Sequence, residues 1–265
     1  MALIHHVATG DGRPPVVLVH GFACGHTDWD AQVAHLSPRH RTVAVDLRGH
    51  GASPGTEKEC SIERYGGDVA EVMRALALPP AVLVGHSMGC RVVVEAALQA
   101  PEHTAGIVLV DGSQFAPKME AAFRDTFATP EGYANLVQSW FRDMFTTKSD
   151  SAVAAAVTER AGRLPRPIGQ RLMLDMLRYD VGRLSTSLSG LRVPVMAIQC
   201  TFRDEQGERR SMAKGQTTPY LDTLRARVPS VRIEIIEDTG HFPQLDEPAR
   251  TNALIDSFLA RFPSV

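Results

Sequence analysis

Residues 81–99 read AVLVGHSMGCRVVVEAALQ, three pieces whose order decides the reading of the whole chain. The run AVLV is continuously apolar, as a strand buried on both faces must be, and RVVVEAAL has the make-up of a helix packed against such a strand. Between them, Gly85-His86-Ser87-Met88-Gly89 sets a glycine two residues before and two residues after a serine. That spacing permits a bend so tight that its apex sits in strained backbone geometry, with the side-chain hydroxyl exposed at the C-terminal end of the strand. The helix behind it aims the positive end of its dipole at any negative charge developing there. Ser87 is therefore the candidate nucleophile. A G-x-S-x-G pattern also occurs at ordinary strand-end turns, so its weight comes from the strand before it, the helix after it and partners elsewhere in the chain.

Five further apolar runs have the same strand character: PPVVLVHG (14–21), RTVAVDL (41–47), GIVLVDGS (106–113), VPVMAIQC (193–200) and VRIEIIED (231–238). Helical stretches alternate with them. Ser61 is a plausible N-cap for 61–78, where Val69, Val72, Met73 and Leu76 fall on one side, and 248–262 does the same with Leu254, Ile255, Phe258 and Leu259. This alternation predicts an α/β fold, a mostly parallel sheet with helices on both faces. The rhythm breaks between 114 and 190, where helix-like pieces at about 118–128, 131–145, 150–163 and 168–179 follow one another with no strand, separated by Pro130, Pro165 and Pro167. We expect a core of 1–113 and 191–265 carrying an inserted helical lid at 114–190, all one domain, since a chain of 265 residues buries a full core without division.

Composition narrows the function classes. Hydrophobic residues make up 44% and charged residues 22%, the balance of an ordinary globular protein. A net charge of -2 provides no field for phosphate backbones or anionic lipid, so neither nucleic acid nor membrane is an expected partner. The start, MALIHHVATGDG, lacks the pattern of a secretory leader, and no apolar run reaches the ~18 residues of a membrane span, so a cytoplasmic location is expected. Cys24, Cys60, Cys90 and Cys200 form no CxxC pair and are read as reduced thiols. The pair His5-His6, with His35, His40 and His103, shows no ligand spacing, so no metal is expected. No organic cofactor is expected either, because the G-x-G-x-x-G and G-x-x-x-x-G-K-[ST] phosphate loops are absent.

A serine hydroxyl is a weak nucleophile without an adjacent base. His241, in Asp238-Thr239-Gly240-His241-Phe242, lies just beyond the last strand and before the final helix, where it would reach the same sheet edge as Ser87. His86 is nearer in sequence, but the bend turns its side chain away, and a structural role is expected. The oxyanion formed on attack needs two backbone N–H donors. Met88 follows the nucleophile, and Phe22 lies in His20-Gly21-Phe22-Ala23 after the strand VVLV, so these two residues are the candidates. Cys24 and His26 share that loop.

HGF, DLRGHGAS (46–53), GHSMG and the late GHF occur in this order, and with them the chain resembles the α/β-hydrolase superfamily, in its lid-bearing esterase-like branch. The resemblance covers nearly the whole chain except the lid. It implies an eight-stranded, mostly parallel sheet with the lid inserted after strand 6, and a Ser-acid-His triad. Only Leu3 to Ala8 precede the HGF strand, so the opening hairpin is expected to be partial. In most of the family the acid follows the strand matching VPVMAIQC, about three residues beyond a glycine. Here Cys200 replaces that glycine, Arg203 stands at the offset and Asp204 is the first acid, in a long charged stretch from Phe202 to Tyr220. A minority, some haloalkane dehalogenases among them, carries the acid after the preceding strand, where this chain has Asp111. An aspartate there also occurs in relatives that use it only to bond local backbone. Asp111 is preferred because a strand end is better fixed than a long loop, and Asp204 remains the alternative. Asp46 and Asp246 read as structural loop residues.

The expected activity is cleavage of a small ester, amide or related carbonyl substrate through an acyl-enzyme, with no cofactor. Two other readings fit the same motifs: a cofactor-independent dioxygenase acting on a heteroaromatic ring, and a non-catalytic ligand receptor. The pocket is expected to include His20, Cys24, Trp140, Met144 and Tyr179, although most apolar lid residues, Phe141, Phe145, Met173 and Met176 among them, are as well explained by lid packing. Arg142 and Arg178 suit either a substrate carboxylate or an exposed helix face.

Overall fold

A computed structural model describes residues 3–204 and 207–263, so the outermost ends of the expected core, 1–2 and 264–265, lie outside the described residues. In chain order the strands are β1 His6–Thr9, β2 Val16–Val19, β3 Thr42–Val45, β4 Ala81–His86, β5 Thr104–Val110, β6 Val195–Gln199, β7 Thr201–Arg203, β8 Arg209–Ser211 and β9 Arg232–Ile235. Seven of them form one sheet in the order β1-β3-β2-β4-β5-β6-β9, while β7 and β8 make a separate antiparallel hairpin. Only β1 runs antiparallel in the large sheet; it pairs with β3, His6 opposite Val45. Among the described residues the sheet has seven strands rather than the expected eight, with one strand, β1, in place of the opening hairpin. The helical insertion follows β5, which would be the sixth strand of a full sheet.

The alternation of strand side chains divides the core in two. Val17, Val19, Leu83, Ile107, Leu109 and Ala197 point to one face and meet helices α2 (Ile62–Ala75) and α3 (Met88–Gln99) through Val69, Met73, Val92 and Val93. Val16, Leu18, Val82, Val84, Val108, Met196 and Ile198 point to the other, where Leu36 of α1 (Asp30–Leu36) and Phe258 of the C-terminal helix cover them. Strands buried on both faces explain why their sequences read as unbroken apolar runs.

Between β5 and β6 lie α4 Met119–Phe127, α5 Pro130–Asp143, α6 Ser151–Ala161, α7 Arg166–Gly182 and α8 Leu184–Gly190. The starts follow local chemistry: Thr129 accepts the Gly132 N–H, Asp150 accepts those of Ala152 and Val153, and prolines occupy the first turns of α5 and α7. Pro167 therefore sits inside the first turn of a longer helix rather than separating two. The insertion is tied to α3 by buried charge. Arg91 Nε and Nη2 donate to Asp180 at 2.7 and 2.6 Å, and Glu95 accepts from the Tyr179 and Ser187 hydroxyls and from Arg183. Downstream come α9 Pro219–Arg227, α10 Pro243–Asp246 and α11 Pro248–Leu259. No helix among the described residues is long and apolar enough to cross a membrane.

Candidate active site

Ser87 stands between β4 and α3 at φ 54°, ψ -114°, a region that L-residues occupy only under constraint. The glycines beside it act through space. A Cβ on Gly85 would meet the Gly89 carbonyl oxygen at 2.3 Å, and one on Gly89 would meet the Val19 oxygen at 2.5 Å. They let the strand, the helix and the neighbouring HGF strand close on one another, and this compression holds the serine at its apex.

His241 follows β9, and its backbone N–H is held by the Met144 oxygen at 2.7 Å. Its Nε2 lies 2.9 Å from Ser87 Oγ and its Nδ1 2.6 Å from Asp111 Oδ2. Asp111 ends β5 at φ 44°, and its Oδ1 accepts the backbone N–H groups of Cys200 and Thr201 at 2.7 and 2.8 Å. The Thr201 hydroxyl donates to Oδ2 at 2.6 Å. Four donors thus converge on one buried carboxylate and offset part of the cost of burying its charge. The carboxylate fixes the proton of His241 on Nδ1 and leaves Nε2 as an acceptor facing Ser87. Asp204 is elsewhere. It accepts from Arg210 Nε and the Glu208 N–H, both at 2.9 Å, and the structure brings Asp111 rather than Asp204 to the histidine.

Burial pushes His241 well below the usual histidine pKa, and the charges of Arg209 and Arg203 push it further. The Asp111 carboxyl is raised by burial, against the Arg209 charge and the Thr201 and Cys200 donors. The imidazole is accordingly neutral and able to accept a proton. His86 Nε2 donates to the His241 carbonyl oxygen at 2.7 Å, so its ring supports the base from behind.

Phe22 and Met88 bring their backbone N–H groups to the same end of the sheet. Among the described residues neither N–H has an acceptor within the chain. Gly21 packs so closely on the bend that a Cβ there would lie 3.1 Å from Ser87 Cβ. Two buried histidines hold this loop. His20 Nδ1 donates to the Gly21 carbonyl at 2.7 Å while its Nε2 accepts the Leu47 N–H at 2.9 Å, and His50 Nε2 accepts the Ala23 N–H at 3.2 Å. Burial lowers their pKa to about 3 and about 4, which keeps both neutral and able to accept. The HGF and DLRGHGAS segments are one hydrogen-bonded unit.

Ser87, Phe22 and His241 open into a cavity of about 340 Å³. Trp140 and Met144 line it as expected, with Phe115, Met119 and Met176. Three expected pocket residues do not. His20 is committed to the loop just described, Cys24 is buried next to Asp28 and Arg160, and the Tyr179 hydroxyl donates to Glu95 beneath the insertion. Arg178 binds Glu63 and Asp175 at the surface, away from the cavity. The cavity also carries Arg91, Arg203, Arg209 and Thr201, which sequence reading did not single out. The charged stretch after β6 was the available signal, but its folding into the β7–β8 hairpin, which delivers Arg209, leaves no local mark. A larger open cleft of about 880 Å³, next to Lys58 and helices α4 and α7, shares no lining residue with this cavity. Away from both, His5 and His26 place their Nδ1 atoms 3.0 Å from the two oxygens of Asp46, a cluster invisible in the spacing of these residues.

Fold and relatives together define a hydrolase built on an α/β sheet, with Ser87, His241 and Asp111 gathered at its C-terminal edge. The profile of the family described as "Alpha/beta hydrolase family" matches residues 16–254, and the chain belongs to that family. It is 42% identical over 274 residues to a pimeloyl-[acyl-carrier protein] methyl ester esterase of Nitrosomonas europaea, across 97% of this chain and 100% of that protein. It is 30% identical over 268 residues to the protein of the same name from Methylococcus capsulatus, across 96% and 98%. Among solved structures, the enol-lactonase from Burkholderia xenovorans LB400 superposes with a TM-score of 0.80 at 21% identity, covering 97% of this chain and 96% of that one. At that identity the likeness is one of fold.

Proposed function

We propose that the chain is a serine hydrolase of a carboxylic ester that works through an acyl-enzyme. The observation that carries this reading is the continuous path from Ser87 Oγ to His241 Nε2 and from His241 Nδ1 to Asp111, with the hydroxyl facing a cavity. In the first step His241 accepts the Ser87 proton as Oγ bonds to the ester carbonyl carbon. The Phe22 and Met88 N–H groups stabilise the oxygen as it becomes negative; a single such donor contributes about 2.7 to 4 kcal/mol. His241 then gives its proton to the departing alcohol. Water, deprotonated by the same imidazole, releases the acyl group and restores the serine. Asp111 keeps the tautomer and balances the imidazolium.

Names of the esterase relatives support an ester rather than an amide as the substrate. Residues 114–190 act in this reading as a lid on a single domain whose core is 1–113 and 191–265, with Trp140, Met144 and Met176 shaping the acyl site. The substrate is a small molecule, and a cytoplasmic setting suits four buried, unpaired cysteines.

The test is active-site labelling and turnover together. A fluorophosphonate is expected to label wild type and not Ser87→Ala, and a panel of methyl esters is expected to lose roughly 10⁶-fold in kcat in that variant. Undiminished ester cleavage by Ser87→Ala, or oxygen-consuming turnover of a heteroaromatic ring that survives this substitution, would overturn the proposal.

A further inference from the structure

Three arginines line the cavity at Ser87, and among the described residues that line it there is no carboxylate. Two of the three are already neutralised. Arg91 is bound to Asp180 through two hydrogen bonds, and Arg203 Nη1 donates to Asp143 at 3.1 Å while its guanidinium lies over the Trp140 ring. Arg209 is different. Its side chain is 11% exposed, yet its nearest carboxylate oxygen, Asp111 Oδ2, is 3.9 Å away. That oxygen is occupied by the Thr201 hydroxyl and by His241 Nδ1, and the other Asp111 oxygen by two backbone N–H groups. Arg209 Nη1 donates to Thr201 Oγ1 at 2.7 Å and comes within 3.2 Å of His241 Nδ1. Because Nδ1 carries the proton directed at Asp111, this second contact sets donor against donor. Nε is buried with no acceptor, and Nη2 makes no hydrogen bond to any described residue.

A buried guanidinium with unused donors, facing a cavity without an anion, is complementary to one. We propose that the substrate is an ester that also bears a free carboxylate, and that Arg209 is the cation that receives this group in the Ser87 cavity. The proposal rests on the serine-esterase reading and deepens it. Burial already lowers the Arg209 pKa to about 10, a strain that the Asp111 and Asp143 charges offset only in part. A bound carboxylate removes that strain. It also offsets the positive charge that holds down the basicity of His241, so a charged substrate restores strength to its own general base.

The experiment compares the monomethyl esters of succinic, glutaric and adipic acid with the methyl esters of butanoic, pentanoic and hexanoic acid, following methanol release. Wild type is expected to favour the charged series by about tenfold or more in kcat/KM, chiefly through KM, as a charge-assisted contact allows. In R209Q the ratio of charged to uncharged kcat/KM falls by at least about tenfold, and R209K recovers part of it. On the uncharged series the acid limb of the R209Q profile moves to higher pH, a shift that a purely structural role would not produce. Protection of Ser87 from fluorophosphonate by glutarate, strong in wild type, weakened in R209K and lost in R209Q, gives a readout independent of turnover. A wild-type preference for uncharged esters, an equal loss on both series in a folded R209Q, or no protection by glutarate overturns the anion site. Turnover that persists in Ser87→Ala overturns the serine reading beneath it, so the two failures are distinct.

Discussion

Asp111 holds a left-handed backbone conformation at the end of β5, which a non-glycine residue adopts at a cost of about 1–3 kcal/mol unless its surroundings enforce it. The compensation is visible in the four donors that converge on its carboxylate. Replacing Asp111 by Asn removes the acceptor that keeps the His241 proton on Nδ1, and kcat is expected to fall roughly 10⁴-fold with KM little changed. Asp204→Asn alters a contact with Arg210 on an exposed hairpin, and steady-state kinetics are expected to place it within about threefold of wild type. Equal kinetic damage from both substitutions would remove Asp111 from the triad. Ser87 and His241 were legible as residues because each stands beside its own short motif. Asp111 was legible only as one of two candidates, since nothing local distinguishes a carboxylate that meets an imidazole 130 residues away from one that caps a turn.

Among elements, α3 and α7 are joined by a buried ion pair that ties the insertion to the core. The pair Arg91–Asp180 is fully buried and bidentate, and Asp180 also accepts the Phe115 N–H at 2.7 Å. Taking a charge out of water costs more than such a pair returns unless the geometry is complete, and removing one partner strands the other. Asp180→Ala is therefore expected to destabilise the protein by about 3–5 kcal/mol in urea unfolding. A loss below about 1 kcal/mol would mean that Arg91 finds water or another anion. Most elements could be read directly. Apolar runs marked the six parallel strands, and Ser61 marked the start of α2, where its side chain accepts the Arg64 N–H. Helices α1, α8, α9 and α10 and the β7–β8 hairpin escaped; three-residue polar strands such as Thr201–Arg203 and Arg209–Ser211 have no periodicity to detect.

For the whole molecule, stability is linked to pH through histidines that fold without their protons. His20 and His86 are lowered to about 3 and His50 to about 4, each from 6.5 and each chiefly by burial. In the unfolded chain they take up protons near pH 6.5, and in the folded chain only below about 4, so protonation favours unfolding in between. Their contribution is complete above pH 6.5 and is lost progressively as the pH falls from 6.5 towards 4 and then 3. Each such histidine costs about 1.4 kcal/mol for every pH unit below its unfolded pKa, so thermal unfolding at pH 5 should show a loss of several kcal/mol relative to pH 7.5. His50→Gln should flatten the slope. A melting temperature independent of pH between these values would contradict the buried, neutral histidines.

Sequence alone determined the α/β class, the sharp bend at Ser87 and the late histidine, because each is written in neighbours along the chain: unbroken apolar runs, glycines two residues on either side of a serine, a short motif between strand and helix. Tertiary structure decided which aspartate meets His241, which expected residues face the cavity, and that Arg209 stands beside His241 with no carboxylate within hydrogen-bond distance. The physical reason is adjacency across the sheet. Strands β5 and β6 lie side by side, so residues 111 and 201 meet at one edge, and the hairpin after β6 then folds Arg209 onto them.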